Sequence, residues 1–233
     1  MSSTAVLISL LESTDLFGGL APDDLRTCAA LFREKRFGKG EMLFARGDVG
    51  AKLYLVAEGR VRLAVVTDEG RELSFRHAAA GELFGEIATM DGGPRTADAT
   101  ALTDLVTHTL ERAVLRRLCA ERPAIGEQAL KFLCRRLRET SSQLEAVALY
   151  PLEVRLARFL LFALAGRQAP AGKRVPLDLG FSQGELAQLL GATRPKVNGA
   201  LAALEGAGAI GRTIDRLFCD PDKLAALARQ HDA

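Results

Sequence analysis

One stretch of this sequence, residues 81–97 (GELFGEIATMDGGPRTA), carries residue types whose spacing suits the binding of an anion. Residues 84–88 have the pattern of a strand that stops at Gly85 and turns at once into a short helix. Because glycine has no side chain, a ligand can approach the backbone closely there. The amide groups of Ile87 and Ala88 would then point outward from the helix start, where a negative charge is favoured. The stretch therefore predicts a phosphate site.

Two charged side chains extend this prediction. Arg95 follows a Gly-Gly-Pro turn and offers a planar guanidinium that can bond two phosphate oxygens at once. Glu86 cannot serve a phosphate, but it can accept a hydrogen bond from a sugar hydroxyl. A phosphate site and a sugar site that lie close together indicate that the ligand is a small nucleotide. The alternative is a turn in which Arg95 pairs with Glu86 and binds nothing.

The composition is that of a globular protein with one large or two modest domains. The chain has 233 residues, of which 48% are hydrophobic and 26% are charged. Residues 1–150 hold 20 Lys and Arg against 21 Asp and Glu, whereas residues 151–233 hold 11 against 8. The mild basic excess of the C-terminal part permits a nucleic-acid partner there.

The sequence also predicts a cytoplasmic protein that does not enter a membrane. No apolar run approaches the roughly 20 residues that span a bilayer, and no signal peptide is visible. The cysteines lie far apart and form no C-x-x-C pair, so they are expected to be reduced thiols without a metal or iron–sulfur centre. They are Cys28, Cys119, Cys134 and Cys219.

The elements that must position the phosphate site are short strands. From about residue 36 to 109 apolar residues recur with a period of two, as in Val61, Leu63 and Val65, and again in Leu73 and Phe75. Turn signals recur at short intervals between these runs. Short strands at this spacing predict a sandwich or a barrel.

A long helix is predicted over about residues 124–149. Its apolar residues step by three, four, seven and three, which is a heptad seam with one vacancy. They are Leu130, Leu133, Leu137, Leu144 and Val147. Thr140 fills the vacant position and Ser141 follows it. Thr140 either sets the register of a coiled coil, or both hydroxyls meet the base of a ligand at the seam.

A second motif occupies residues 181–205 (FSQGELAQLLGATRPKVNGALAALE). Ser182 with Glu185 predicts a capping box that opens one helix, and Thr193 is predicted to cap the next. Two short helices joined by a turn at Gly191 predict a helix-turn-helix. A two-stranded wing turning at Asp215 is expected over residues 210–218, with a short helix after it.

The second helix of this motif presents the predicted DNA contacts. Arg194 is expected to read a base edge, while Lys196 and Thr193 suit phosphates. The full set of residues predicted to meet DNA is Ser182, Gln183, Thr193, Arg194, Lys196 and Asn198.

Over about residues 36–220 the chain resembles the cyclic-AMP receptor protein family of bacterial transcription regulators. Three motifs carry the resemblance: FGEIA…PRTA, the Arg-Arg-Leu-x-x-Thr-Ser run at residues 135–141, and the helix-turn-helix. The resemblance implies an α+β protein of three parts. These are an N-terminal antiparallel β jelly-roll sandwich that binds a cyclic nucleotide (1–122), a long dimerisation helix (123–150) and a C-terminal winged helix-turn-helix domain (151–233).

The resemblance also implies roles for particular residues. The ribose and cyclic phosphate would be held by Gly85, Glu86, Ile87, Ala88, Arg95 and Thr96. The base would be met by Thr140 and by the partner subunit's Ser141. The recognition helix departs from the family, because Pro195 and Gly199 stand where the family has a Glu and a second Arg.

These patterns lead to one main hypothesis and one alternative. The main hypothesis is a homodimeric transcription regulator that binds an operator in double-stranded DNA and is switched by cyclic AMP or cyclic GMP, with RNA polymerase as an expected partner. The alternative is a regulator of the same fold whose sandwich senses another metabolite, a gas, a redox signal or nothing. An enzyme is not expected, because the sequence shows no nucleophile–base pair, no metal-ligand spacing and no P-loop. No prosthetic group is expected.

Overall fold

The computed structural model describes residues 3–66, 72–164, 174–177, 183–213 and 216–229. They form two compact units, Met1–Arg138 and Glu139–Ala233, each with its own core. The predicted boundaries after residues 122 and 150 stay predictions. Ser182 and Asp215, the predicted capping residue and wing turn, lie outside the described residues.

The first unit begins with two helices, α1 (Ser3–Glu12) and α2 (Pro22–Leu31). The proline that opens α2 suits a first helical position, where its missing N–H group costs nothing. Apolar side chains from both helices and the turn between them are buried in one cluster. The two helices therefore form part of the core of the first unit.

The middle of the unit is built from antiparallel strands. They are β1 (Arg33–Phe37), β2 (Met42–Phe44), β3 (Lys52–Glu58), β4 (Val61–Val66), β5 (Glu72–Ala78), β6 (Leu83–Phe84), β7 (Asp98–Ala101) and β8 (Leu105–Glu111). Among the described residues these strands form two sheets, with the orders β1-β8-β3-β6 and β2-β7-β4-β5. Buried side chains from both sheets share one cluster, so the predicted sandwich is confirmed.

A β-bulge shifts the predicted alternation in β5. Leu63 of β4 pairs with Arg76, but the next residue, Ala64, pairs with Ser74, so β5 carries one extra residue. A bulge of this kind changes which side chains face the core. As a result Leu73 is 43% exposed and Ser74 only 1% exposed, opposite to the pattern the sequence suggests.

Three helices surround or follow the strands. They are α3 (Glu86–Asp91), α4 (Arg112–Glu121) and α5 (Pro123–Leu149). Ile125 and Phe132 of α5 are buried against the cluster that holds α1 and α2. Leu130, Leu137 and Leu144 on the predicted heptad seam are 64%, 68% and 69% exposed. These three leucines therefore form an uncovered apolar stripe in the single chain, whereas Leu133 of the same seam packs against the core.

The second unit contains short helices and a small sheet. Its remaining elements are α6 (Leu152–Leu164), β9 (Val175–Leu177), α7 (Gln183–Leu189), α8 (Arg194–Gly206), β10 (Ile210–Arg212), β11 (Leu217–Cys219) and α9 (Pro221–Arg229). The sheet has the order β10-β11-β9, so the predicted two-stranded wing gains a third strand. β9 was not predicted, because three residues centred on Pro176 show no alternation. Throughout the described residues, no helix combines the length and the apolar character that crossing a membrane requires.

Candidate functional site

Gly85 stands between β6 and α3 and makes the sharp change from strand to helix. Its φ of 76° lies in the left-handed region, which glycine adopts without a steric cost. A Cβ atom at this position would lie 2.5 Å from Nη1 of Arg95. Both the backbone conformation and the neighbouring guanidinium therefore require glycine here.

The first turn of α3 places backbone amides next to this glycine. The amide of Thr89 donates to the carbonyl of Gly85 at 3.3 Å, so the amides of Ile87 and Ala88 precede the first bond of the helix. Ile87 is 46% exposed, whereas Ala88 is buried. This is the strand-to-helix turn that the sequence predicts.

Arg95 is buried beside the same turn, with only 4% of its surface exposed. Its guanidinium donates to the carbonyl of Gly85 at 2.8 Å and to the carbonyl of Lys52 at 2.7 Å. The guanidinium carbon lies 4.2 Å from the centre of the Phe44 ring and 5.7 Å from that of Tyr54. Burial lowers the pKa of Arg95, because desolvation penalises its charged form.

This buried cation makes no salt bridge with any of the described residues. The structure does not show the Arg95–Glu86 pair of the alternative, because Glu86 contacts a different arginine. Oε1 of Glu86 lies 4.0 Å from Nε of Arg136 on α5. A guanidinium that keeps its charge and is held by neutral carbonyls and rings is available to an anion.

Arg136 was missed as a site residue. It lies within the Arg-Arg-Leu-x-x-Thr-Ser run, where only the Thr and the Ser were predicted to act. The available signal was its position four residues before Thr140, which puts both side chains on one face of a helix.

Three further residues were predicted to contact the ligand. Thr96 follows Arg95 and is exposed. Thr140 and Ser141 are exposed residues of α5 and belong to the second unit. Their contacts with a base stay predictions.

The predicted helix-turn-helix is formed by α7 and α8. Gly191 has a φ of 59° in the turn between them, as expected for a glycine that ends one helix. Val197, Leu201 and Leu204 are buried on the inner face of α8. The period of these apolar residues thus fixes which face of α8 remains exposed.

Arg194 and Lys196 are exposed in the first turn of α8, where the sequence places DNA contacts. Gln183 is exposed at the start of α7. Thr193 has the extended backbone of an N-cap, but its side chain makes no capping hydrogen bond. Thr193 is therefore the N-cap residue by position, as predicted, but the predicted capping bond of its hydroxyl is not formed.

Two further residues of α8 differ in their surroundings. Asn198 was predicted to be exposed, but it is half-buried and its Oδ1 atom is buried with no hydrogen-bond partner in the described structure. At Gly199 a Cβ atom would meet no described atom within 4 Å. Asn198 is thus constrained by the atoms around it, whereas the space next to Gly199 is open to a side chain.

An antiparallel sandwich with a strand-to-helix turn beside a buried arginine, together with a helix-turn-helix, is typical of a class of ligand-responsive regulators. Comparison with protein families supports this. The cyclic nucleotide-binding domain family matches residues 34–122, and the Crp-like helix-turn-helix domain family matches residues 154–227.

Similar proteins match over nearly the whole chain. The CRP-like cAMP-activated global transcriptional regulator of Mycobacterium tuberculosis is 34% identical over 94% of this chain and 99% of its own. The cyclic AMP receptor protein of Thermus thermophilus is 33% identical over 86% of this chain and 89% of its own. The chain therefore belongs to the cyclic-AMP receptor protein family of transcription regulators, which are not enzymes.

Solved structures show the same fold. FixK2 from Bradyrhizobium japonicum superposes with a TM-score of 0.71 at 22% identity, covering 84% of this chain and 96% of its own. The catabolite activator protein of Thermus thermophilus superposes with a TM-score of 0.54 at 30% identity, covering 92% of this chain and 98% of its own.

Proposed function

We propose that this protein is a homodimeric transcription regulator that binds an operator in double-stranded DNA and is switched by a 3′,5′-cyclic nucleotide, either cyclic AMP or cyclic GMP. The observation that carries the proposal is Arg95, a buried cation that lies against Gly85 and has no carboxylate partner among the described residues. Burying a charge is costly unless it is paired. An anionic ligand supplies the missing pair.

The other residues of the turn suit the rest of a nucleotide. The phosphate accepts hydrogen bonds from Arg95 and from the amides of Ile87 and Ala88, while Glu86 accepts one from a ribose hydroxyl. Thr140 follows Arg136 by one helical turn and is proposed to meet the base. In a dimer, the partner subunit's Ser141 completes the base site.

Dimerisation is supported by the uncovered stripe on α5. Leu130, Leu137 and Leu144 recur at the seven-residue interval of a coiled coil, and each is more than 60% exposed. A second copy of α5 covers this stripe. The proposed division of labour is nucleotide binding by residues 1–122, dimerisation by 123–150 and DNA binding by 151–233.

DNA binding is assigned to the exposed face of α8. Arg194 lies in the first turn, where residues of a recognition helix contact base edges, and Lys196 is placed for a phosphate. RNA polymerase is a further proposed partner, as expected of a cytoplasmic transcription regulator. No catalytic step and no prosthetic group are part of the proposal.

The proposed switch requires two states of the dimer that differ in their affinity for the nucleotide. A ligand changes the population of a DNA-competent state only if it binds that state more tightly than the other. Dimeric helix-turn-helix proteins need their recognition helices about one DNA turn apart. Ligand contacts with α5 are proposed to favour that spacing.

The test is a calorimetric titration of the dimer with cyclic AMP and cyclic GMP, followed by operator binding with and without each nucleotide. Arg95→Ala should lower nucleotide affinity about ten- to a hundred-fold, since charge-assisted hydrogen bonds contribute roughly 1.5–3 kcal/mol. Arg117→Ala, which removes an exposed arginine of α4, is the matched control and should leave affinity unchanged. If neither nucleotide binds the wild type, the alternative regulator with another signal replaces this proposal.

A further inference from the structure

Phe44 is the last residue of β2, and an irregularity in that strand turns its side chain inward. Met42 pairs with Thr100 of β7, but Phe44 pairs with Ala99, so β2 carries one extra residue between the two pairs. Residues two apart on a regular strand share a face, and a bulge breaks this rule. Met42 is 57% exposed, whereas Phe44 packs against the buried cluster of the sandwich. The bulge therefore places an aromatic ring inside the sandwich.

Two further rings fix the ring of Phe44. Its centre lies 5.6 Å from that of Tyr54 and 6.1 Å from that of Phe84. Tyr54 and Phe84 are themselves stacked, with centres 4.9 Å apart. Aromatic rings at these separations attract one another. The ring of Phe44 is thus one wall of an aromatic cluster rather than a single side chain on the surface.

The guanidinium of Arg95 lies over the ring of Phe44, with its central carbon 4.2 Å from the ring centre. The backbone of Arg95 is fixed next to β2, because its amide donates to the carbonyl of Asp48 at 2.8 Å and its carbonyl accepts from the amide of Gly47 at 2.9 Å. A cation this close to a ring is attracted by the negative face of the ring. The attraction is stronger where water is excluded, and Arg95 is only 4% exposed.

A ring and a carboxylate differ as partners for a buried cation that must also bind an anion. A carboxylate bonds the N–H groups in the plane of the guanidinium, and its charge repels a phosphate. A ring covers one face of the guanidinium and leaves both the positive charge and the N–H edge in place. Nε of Arg95 is buried and has no hydrogen-bond partner among the described residues, so the guanidinium still lacks an acceptor.

We propose that Phe44 is a positioning residue for the cyclic nucleotide, whose ring holds the charged guanidinium of Arg95 in the orientation that receives the phosphate. This inference rests on the proposed function, because it concerns the same ligand site. Phe44 lies outside residues 81–97, and it acts on the ligand through Arg95.

The first experiment is a double-mutant cycle on the full chain, with calorimetric titrations of cyclic AMP and of cyclic GMP. Phe44→Leu keeps an apolar side chain but removes the ring, and it should lower the affinity for both nucleotides about five- to thirtyfold. In an Arg95→Ala background the same change should have an effect of about twofold or less, because Phe44 acts through Arg95. Phe44→Tyr keeps a ring and should bind about as tightly as wild type.

The second experiment separates the charge of the ring face from the space that the ring fills. Mono-, di- and trifluorophenylalanine are placed at Phe44, since fluorine withdraws electron density from the ring face and changes the shape little. Affinity for both nucleotides should fall stepwise with each fluorine, as expected for attraction between a cation and the ring quadrupole. The matched control is the same series at Phe84, a ring of the same cluster, and affinity there should stay nearly constant.

The outcomes separate this inference from the proposed function. Constant affinity across the Phe44 series, or an equal fall in the Phe84 series, means that the ring only fills space, and the proposed function then stands without it. An equal loss from Phe44→Leu with and without Arg95 also overturns the positioning role. If wild type binds neither nucleotide, both proposals fail. Thermal unfolding of each variant establishes that it is folded.

Discussion

The carboxylate of Glu86 and the guanidinium of Arg136 approach within 4.0 Å, with side chains 11% and 19% exposed respectively. Glu86 opens α3 and Arg136 lies on α5, so this contact joins the phosphate turn to the long helix. At 4.0 Å the pair is longer than a hydrogen bond. A ribose hydroxyl that donates to Glu86 can therefore compete with Arg136 for the carboxylate.

Replacing Glu86 tests this relationship. Glu86→Gln keeps the shape but removes the charge that both Arg136 and a hydroxyl donor would use. We expect nucleotide affinity to fall about tenfold, because hydrogen bonds to charged groups contribute roughly 1.5–3 kcal/mol. Calorimetry measures the loss, with Glu121→Gln on α4 as a control. Unchanged affinity in Glu86→Gln would remove Glu86 from the site.

The apolar stripe on α5 gives a second prediction. Leu137→Asp places a charge at a seam position that is 68% exposed in the single chain. We expect a folded monomer that no longer binds its operator, because a coiled-coil seam excludes an unpaired charge. Sedimentation measures the change in mass. Val66→Asp, at a residue of β4 that is 49% exposed, should remain a dimer. A dimeric Leu137→Asp variant would mean that another surface joins the subunits.

Recognition by α8 gives a third prediction. Arg194→Ala should cost about 1–3 kcal/mol at one base pair and relax the preference there, since an arginine fork on guanine is a specific contact. Lys196→Ala should weaken binding to all sequences alike and reduce the salt dependence, because it removes a phosphate contact. A selection from randomised operators compares the two variants. If Arg194→Ala weakens every sequence equally, Arg194 is a phosphate contact.

The buried thiols give a prediction about pH. Burial raises the pKa of Cys28 from 9.0 to about 11. Because the folded state keeps this thiol protonated, its contribution to stability is fully present below about pH 9 and is lost as the pH rises toward 11. Urea unfolding between pH 8 and 10.5 should show falling stability in wild type. The slope of stability against pH should be smaller in Cys28→Ala, and equal slopes would contradict the prediction.

The same thiols should differ in reactivity. Cys28 and Cys219 are buried, and burial raises the pKa of each to about 11, whereas Cys134 is exposed on α5. A thiolate is the reactive species, so a maleimide at pH 7 should label Cys134 first. Mass spectrometry identifies the modified site. Faster labelling of Cys28 than of Cys134 would mean that the first unit opens readily.

Local patterns predicted most of the fold. The period of two in residues 36–109 and the heptad of α5 report which side chains can share a face, and the structure has strands and a long helix in these places. The bulge between Leu63 and Ala64 was not predictable in this way, because it depends on how β4 and β5 pair. β9 was missed because it is too short to show any period.

The part of the site that was predicted is the part whose residues lie close together in the sequence. Gly85 and Arg95 lie within one short stretch, and their types and order carry the signal. Glu86 and Arg136 are fifty residues apart, so their contact arises only from the packing of α5 on the first unit. Thr193 has the residue type and the backbone of a cap, yet its side chain makes no capping hydrogen bond, which residue type alone does not report.

The open space at Gly199 has a consequence for how such regulators diverge. A side chain added there meets no described neighbour within 4 Å, and the buried face of α8 lies elsewhere. One substitution can therefore alter which operator is bound without repacking the core. After gene duplication, two copies could acquire separate sets of target genes in a single step while both still answered the same signal.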